Sequence, residues 1–164
     1  MYGRDVIEMS INKVKAYFKQ YNMESRILEF DESSATVELA AHAVGCEPAR
    51  IAKTLSFWVD NQPILILTAG DAKIDNKKYK EQFVKKAKML SFEEVESVIG
   101  HGVGGVCPFG INDGINVYLD ESLKRFDVVY PACGSSNSAI GLTIPELEKY
   151  SGYLVWVDVC KDWN

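Results

Sequence analysis

The sequence predicts an α+β fold: a single domain over residues 1–164, built on a mixed, mostly antiparallel twisted sheet with flanking helices. Three observations carry that prediction. Short runs of alternating or continuous apolar residues, at Leu55–Val59, Ile64–Leu67, Ile115–Leu119 and Asp127–Ala132, mark strands, and apolar residues at helical spacing mark helices between them. Strands and helices follow one another without the strict alternation of a doubly wound sheet. The chain of 164 residues, 47% of them hydrophobic and 25% charged, is long enough for one sizeable core.

Taken in order, Ser10 reads as the N-cap of a first helix whose Val14, Tyr17, Phe18 and Tyr21 form one apolar stripe, with Lys13, Lys15 and Lys19 on its solvated side. Arg26–Phe30 reads as a short strand. The Asp31–Ser34 cluster then starts a second helix, in which Val37, Ala40, Ala41 and Val44 share a face and which Gly45 ends. Pro48 opens a helical turn over Ala49–Ala52. Leu55, Phe57 and Val59 alternate with Ser56 and Trp58 as a half-buried strand; Asn61-Gln62 turns the chain, and Ile64–Leu67, apolar on both faces, is a covered central strand. Asp75 caps a helix that carries Tyr79 and Phe83 inward. Ser91-Phe92-Glu93-Glu94 is a capping box, opening a helix with Phe92, Val95, Val98 and Ile99 inward and Gly100 at its end. After the Ile115–Leu119 strand come a helical turn at Glu121–Arg125 and the Asp127–Ala132 strand. A polar turn, Gly134–Ser138, joins the latter to a partner strand at Ala139–Leu142. A second capping box, Thr143-Ile144-Pro145-Glu146, opens a last helix closed by Gly152, and Tyr153–Cys160 is a final strand.

Composition excludes several functions. No run approaches the roughly 20 apolar residues of a membrane span, and Met1–Ser10 lacks the apolar core of a signal peptide, so a cytoplasmic protein is expected. Cys46, Cys107, Cys133 and Cys160 are widely spaced, with His42 and His101 as the two histidines, which predicts reduced thiols and neither a metal site nor a cofactor. A net charge of −5 argues against a DNA-binding or general nucleic-acid-binding protein. It leaves room for a local basic patch: Lys73, Lys77, Lys78 and Lys80, with Lys85, Lys86 and Lys88, outnumber the acids between Asp71 and Lys88. Two readings of that patch are open, a solvated helix face and a surface for an RNA backbone.

Two places can carry chemistry. Gly100–Gly110 holds five glycines in eleven residues before and after Pro108-Phe109, so it is an ordered loop whose N–H groups can approach a carbonyl or oxyanion, or else a glycine-rich connection with no ligand. Cys107 lies in that loop, which follows a helix C-terminus and so provides no field to form a thiolate. Nucleophile-elbow and P-loop patterns are absent. The second place is Lys53, in the apolar setting Ile51-Ala52-Lys53-Thr54-Leu55. A lysine there either snorkels to solvent or meets an anion or polarised carbonyl.

Ala52-Lys53-Thr54-Leu55, Gly104-Gly105-Val106-Cys107-Pro108-Phe109-Gly110 and the Gly134-Ser135 turn together resemble the YbaK/EbsC family, free-standing relatives of the editing domain inserted in bacterial prolyl-tRNA synthetases. The resemblance runs from the Thr36–Gly45 helix to the last helix. It implies a trans-editing aminoacyl-tRNA deacylase that hydrolyses the ester of mischarged tRNA, of the proline type, with Lys53, Gly104 and Gly105 catalytic. Thr54, Val106, Cys107, Pro108, Phe109, Gly134, Ser135 and Asn137 then contact substrate, and Lys73, Lys77, Lys78 and Lys80 contact tRNA. A synthetase such as prolyl-tRNA synthetase is the implied protein partner. The alternative is a non-catalytic module of the same fold that binds tRNA or a synthetase. Thr54 stands where some alanine-specific relatives carry asparagine.

Overall fold

The hairpin of β2 (Ile51–Val59) and β3 (Gln62–Ala69) is the centre of the molecule, in a computed structural model that describes residues 2–163, with side chains described from residue 10. Its register runs unbroken from Ala52↔Ala69 to Val59↔Gln62. The turn is therefore Asp60-Asn61, with Asp60 at positive φ, and the predicted turn residue Gln62 already belongs to the strand. Ile64–Leu67 is wholly buried, as expected of a strand covered on both faces.

Around the hairpin the remaining elements follow in chain order: α1 (Tyr2–Lys19), β1 (Ile27–Glu29), α2 (Val37–Val44), β4 (Lys73–Ile74), α3 (Asn76–Phe83) and α4 (Phe92–Glu94), which runs on into a π-helical turn over Val95–Ile99. Then come β5 (Asn116–Asp120), β6 (Val128–Pro131), β7 (Ser138–Ile140), β8 (Leu142–Thr143), α5 (Ile144–Ser151), β9 (Val155–Val157) and β10 (Cys160–Lys161). The main sheet has the order β8-β6-β2-β3-β5-β9, and two small sheets pair β1 with β7 and β4 with β10. Antiparallel pairs (β1·β7, β2·β3, β4·β10, β6·β8) outnumber parallel ones (β2·β6, β3·β5, β5·β9), and the fold is the mixed α+β domain expected.

Several boundaries differ from expectation for identifiable reasons. Ser10 lies inside α1 and not at its cap. The cap of α2 is Thr36, whose hydroxyl accepts from the Leu39 N–H at 3.2 Å, so the Asp31–Ser34 cluster belongs to the loop before it. The turn after Glu47 ends at Arg50, and Ile51 already pairs with β6. Ala139 pairs with β1, and only Leu142-Thr143 returns to β6, so the Gly134–Ser138 turn joins two sheets and is no hairpin. The final strand is split into β9 and β10. Both capping boxes form, at Ser91/Glu94 and Thr143/Glu146.

Side chains at β2 and β3 divide by the pleat. Lys53, Leu55 and Phe57 share a face with Ile64 and Ile66, and Phe57 packs on Tyr79 of α3, with ring centroids 5.1 Å apart. Phe83 of α3 meets Tyr118 of β5 on that same face at 5.1 Å. Thr54 therefore lies on the opposite face from α3.

Candidate active site

The Lys53 side chain leaves β2 on the face that packs against α3. Its ammonium donates to the carbonyl of Ala72, just before β4, and burial lowers its pKa below the ordinary lysine value, against the opposing pull of Cys160 and Asp71. Among the described residues that neutral carbonyl is its one hydrogen-bond partner, so this half-buried cation retains charge to offer a second group. Beside it a cavity of about 240 Å³ opens at the sheet edge, walled by β2, the start of α2, the Met89-Leu90 segment and the glycine loop. Of the residues expected to form the site, Lys53, Thr54, Gly104 and Val106 line this cavity.

The glycine loop is held in place from below. Gly104, at φ +93, faces Ala35 and Ser136, which a Cβ would meet at 3.4 Å. Gly105 presses on the Gly134-Ser135 turn so closely that a Cβ would lie 2.5 Å from the Gly134 carbonyl carbon, and the Gly134 N–H donates to the Gly105 carbonyl at 2.9 Å. Gly134 rests in turn on α1, where a Cβ would lie 2.7 Å from the Ser10 carbonyl oxygen. Loop, turn and helix thus form one stack. Gly105 braces the loop and does not line the cavity.

The expected contacts at Cys107, Pro108, Phe109, Gly134, Ser135 and Asn137 are not brought to the cavity either. Cys107, Pro108 and Phe109 are buried beneath the loop, because Phe109 fills the aromatic cluster of α1 at 4.7 Å from Phe18. His101 Nε2 lies 2.6 Å from the Phe109 carbonyl, which only accepts, so this nitrogen carries the proton. Burial pushes the Cys107 thiol up to about 12 and pulls His101 below its ordinary value, leaving both neutral at pH 7. Neither group supplies a nucleophile or a strong base. Ser135 Oγ meets Asn137 Oδ1 at 2.9 Å and Ser138 Oγ at 2.7 Å, while Asn137 Nδ2 donates to the Phe30 carbonyl at 3.0 Å. These side chains fasten the turn to the chain after β1.

The sequence reading missed the rim of the cavity. Phe92, expected to pack inward, is 74% exposed at its mouth, together with Met89 (58%) and Val103 (50%). The π-helical turn that follows α4 shifts the helical periodicity on which the inward assignment relied. Met89-Leu90 closing a lysine-rich stretch was the available signal. The basic segment itself lies on the Lys53 face of the sheet. Lys73, Lys77 and Lys80 are exposed, but Lys78 is committed to Asp158 and the Cys160 carbonyl, both at 3.0 Å. Among the described residues no three His, Cys, Asp or Glu side chains form a group able to hold a metal ion, and no helix is long and apolar enough to cross a membrane.

The profile of the family described as aminoacyl-tRNA editing domain matches residues 31–150, which include α2, Lys53, the whole glycine loop and the Gly134 turn. The chain belongs to this family. The editing domain is also 56% identical over 157 residues to the uncharacterized protein YwhH of Bacillus subtilis (strain 168), covering 95% of this chain and 100% of that one. It is 30% identical over 117 residues to the proline–tRNA ligase of Streptococcus equi subsp. equi (strain 4047), covering 69% of this chain but 17% of the ligase. A crystal structure of a protein proposed as a trans-editing enzyme for prolyl tRNA synthetase superposes with a TM-score of 0.83 at 29% identity, covering 93% of this editing domain and 97% of that chain.

Proposed function

We propose that this editing domain acts in trans as an aminoacyl-tRNA deacylase, hydrolysing the ester that joins a wrong amino acid to the terminal ribose of a tRNA of the proline type. The observation that carries the reading is the meeting of Lys53 and Gly104 on one small cavity within an editing-domain fold. An aminoacyl ester is already activated, so hydrolysis needs a positioned water and stabilisation of the oxyanion that forms on the carbonyl oxygen. Water's oxygen joins the carbonyl carbon, the bond from that carbon to the ribose oxygen breaks, and the ribose leaves as its hydroxyl. A desolvated ammonium at Lys53 and a backbone N–H near Gly104 are groups of the type that stabilise this charge.

The two faces of β2 support a division of labour. Lys53 and the exposed Lys73, Lys77 and Lys80 share the α3 face, which suits the polyanionic RNA, and a synthetase is the fitting partner for delivery. The decisive experiment presents purified protein with a panel of mischarged tRNAs and scores release of each amino acid. Deacylation abolished by Lys53→Ala is the expected result. Binding without hydrolysis of any member would turn the reading into that of a non-catalytic module.

A further inference from the structure

Strand β2 loses its outer neighbour in the middle. Upstream, Ile51 and Ala52 pair in parallel with Tyr130 and Pro131 of β6, and since Pro131 has no N–H, the ladder there runs through the backbone of Ala52. Downstream, the Ser56 carbonyl accepts from the Leu90 N–H at 3.2 Å, and the Trp58 N–H donates to the Lys88 carbonyl at 2.8 Å. All three residues, Ala52, Ser56 and Trp58, therefore point their backbone groups at the edge opposite β3. The N–H and C=O of one strand residue point to the same edge and alternate along the strand. With the β2–β3 register unbroken, Thr54 directs both of its groups to that edge, and neither finds a hydrogen-bond partner there among the described residues. Ala132 and Leu90, which flank the gap, line the cavity with Thr54.

We propose that the open backbone of Thr54 holds the aminoacyl group as a one-residue antiparallel strand: its N–H donates to the ester carbonyl oxygen and its C=O accepts from the α-ammonium. This rests on the deacylase reading above. The chemistry fits because an aminoacyl ester presents a donor, one carbon and an acceptor in the order of a single peptide residue. Only an antiparallel hydrogen-bonded pair uses both groups of one residue against both groups of another. An unpaired strand N–H and C=O inside a partly enclosed cavity are also worth more to such a guest than exposed groups are. Two consequences follow from geometry alone. The Thr54 N–H adds to the groups that stabilise charge on the carbonyl oxygen. Directly opposed residues of an antiparallel pair put their side chains on the same face, so an L-amino acid places its side chain beside that of Thr54, and a D-amino acid turns it to the Lys53 face.

The test follows the Thr54 amide by ¹⁵N–¹H correlation while the wild-type protein is titrated with hydrolysis-resistant 3′-amides of 3′-amino-3′-deoxyadenosine bearing L-alanyl, L-seryl or L-cysteinyl groups. The D-alanyl and propionyl amides serve as comparisons. A downfield shift of the Thr54 amide proton is expected, with binding of the D-alanyl and propionyl compounds weaker by about tenfold or more. Thr54→Pro deletes the N–H at an edge position where proline breaks no ladder bond, and its kcat/KM on a mischarged tRNA that the wild type deacylates should fall about 10- to 100-fold below that of Thr54→Val, which keeps the N–H. Should Thr54→Pro not fold, the wild-type titration decides. Binding that moves the Gly104 amide and leaves Thr54 unmoved, or equal binding of the D-alanyl and propionyl amides, overturns the backbone pairing and leaves the deacylase reading intact. No shift at any cavity amide, with no deacylation of any mischarged tRNA, overturns both.

Discussion

Replacing Gly105 by alanine should destabilise the protein more than replacing Gly104, although only Gly104 lines the cavity. A methyl group at Gly105 would lie 2.5 Å from both the Gly134 carbonyl carbon and the Ser135 nitrogen and 2.8 Å from the Gly134 oxygen, against ordinary contacts of 3.4–4 Å. These are backbone atoms, and Gly134 is itself pressed against α1, so the turn cannot retreat by the required ~1 Å without strain passing to the helix. Overpacking of this kind costs about 2 kcal/mol, and parting the loops sacrifices the Gly134 N–H bond to the Gly105 carbonyl, about 1 kcal/mol more. With an unfolding entropy of about 2.1 cal/mol/K per residue, roughly 3 kcal/mol in a chain of this length lowers Tm by about 9 °C. At Gly104 a methyl group meets its nearest neighbours at 3.4 Å, and the main penalty is its positive φ, about 1–2 kcal/mol. Differential scanning calorimetry of the two variants, paired with deacylation assays well below both Tm values, tests the ordering. A Gly105→Ala variant that melts within about 2 °C of wild type would refute the stacking argument.

Other expectations follow from the same geometry. Lys53→Ala should lower kcat for deacylation by about 100-fold or more with a small change in Tm, because a desolvated ammonium contributes little to stability; near-normal turnover would remove it from the chemistry. Since burial lowers the Lys53 pKa, activity that depends on its charge should fall on the alkaline side before an ordinary lysine titrates, while deprotonation favours the folded state; a flat alkaline limb contradicts this. Cys107→Ala should keep most activity, the buried neutral thiol being no nucleophile, and a trapped aminoacyl-Cys107 would disprove it. Arg26 grips Glu146 of α5 through two bonds and holds its carboxyl at about 2, below the ordinary 4.5. That pair contributes stability above pH 4.5, lost as pH falls toward 2, about 1 kcal/mol after allowance for solvent screening; Glu146→Gln should flatten this acid-side slope in urea titrations.

Much of the fold was legible because its signals are local. The doubly apolar Ile64–Leu67, the Asp75 cap and the two capping boxes each act within a turn or a strand, and each formed as read. What was not legible depends on partners distant in sequence. Nothing near Ala139 announces that it pairs with β1, 111 positions away in Leu28, and not with β6. Helical spacing put Phe92 inside, but a π-helical turn after it changes the period, and a period change leaves no mark in composition.

The site divides along the same line. Lys53 stood out because a charge inside an apolar run is costly unless something requires it, and Gly104 because five glycines in eleven residues have no ordinary structural use. The sequence could not show which glycines face the cavity and which are buried joints, since close approach to a ligand and close approach to another loop select the same residue. Gly105 and Gly134 are joints for each other. The same limit hid Thr54. Its side chain was visible as the neighbour of Lys53, but its unpaired backbone exists only because β6 stops at Pro131 and the Met89 segment begins pairing two residues farther along β2. A gap between two partners belongs to neither segment's sequence. The lysine and the loop were therefore readable as residues, whereas the strand edge that joins them into one cavity arises only from the topology.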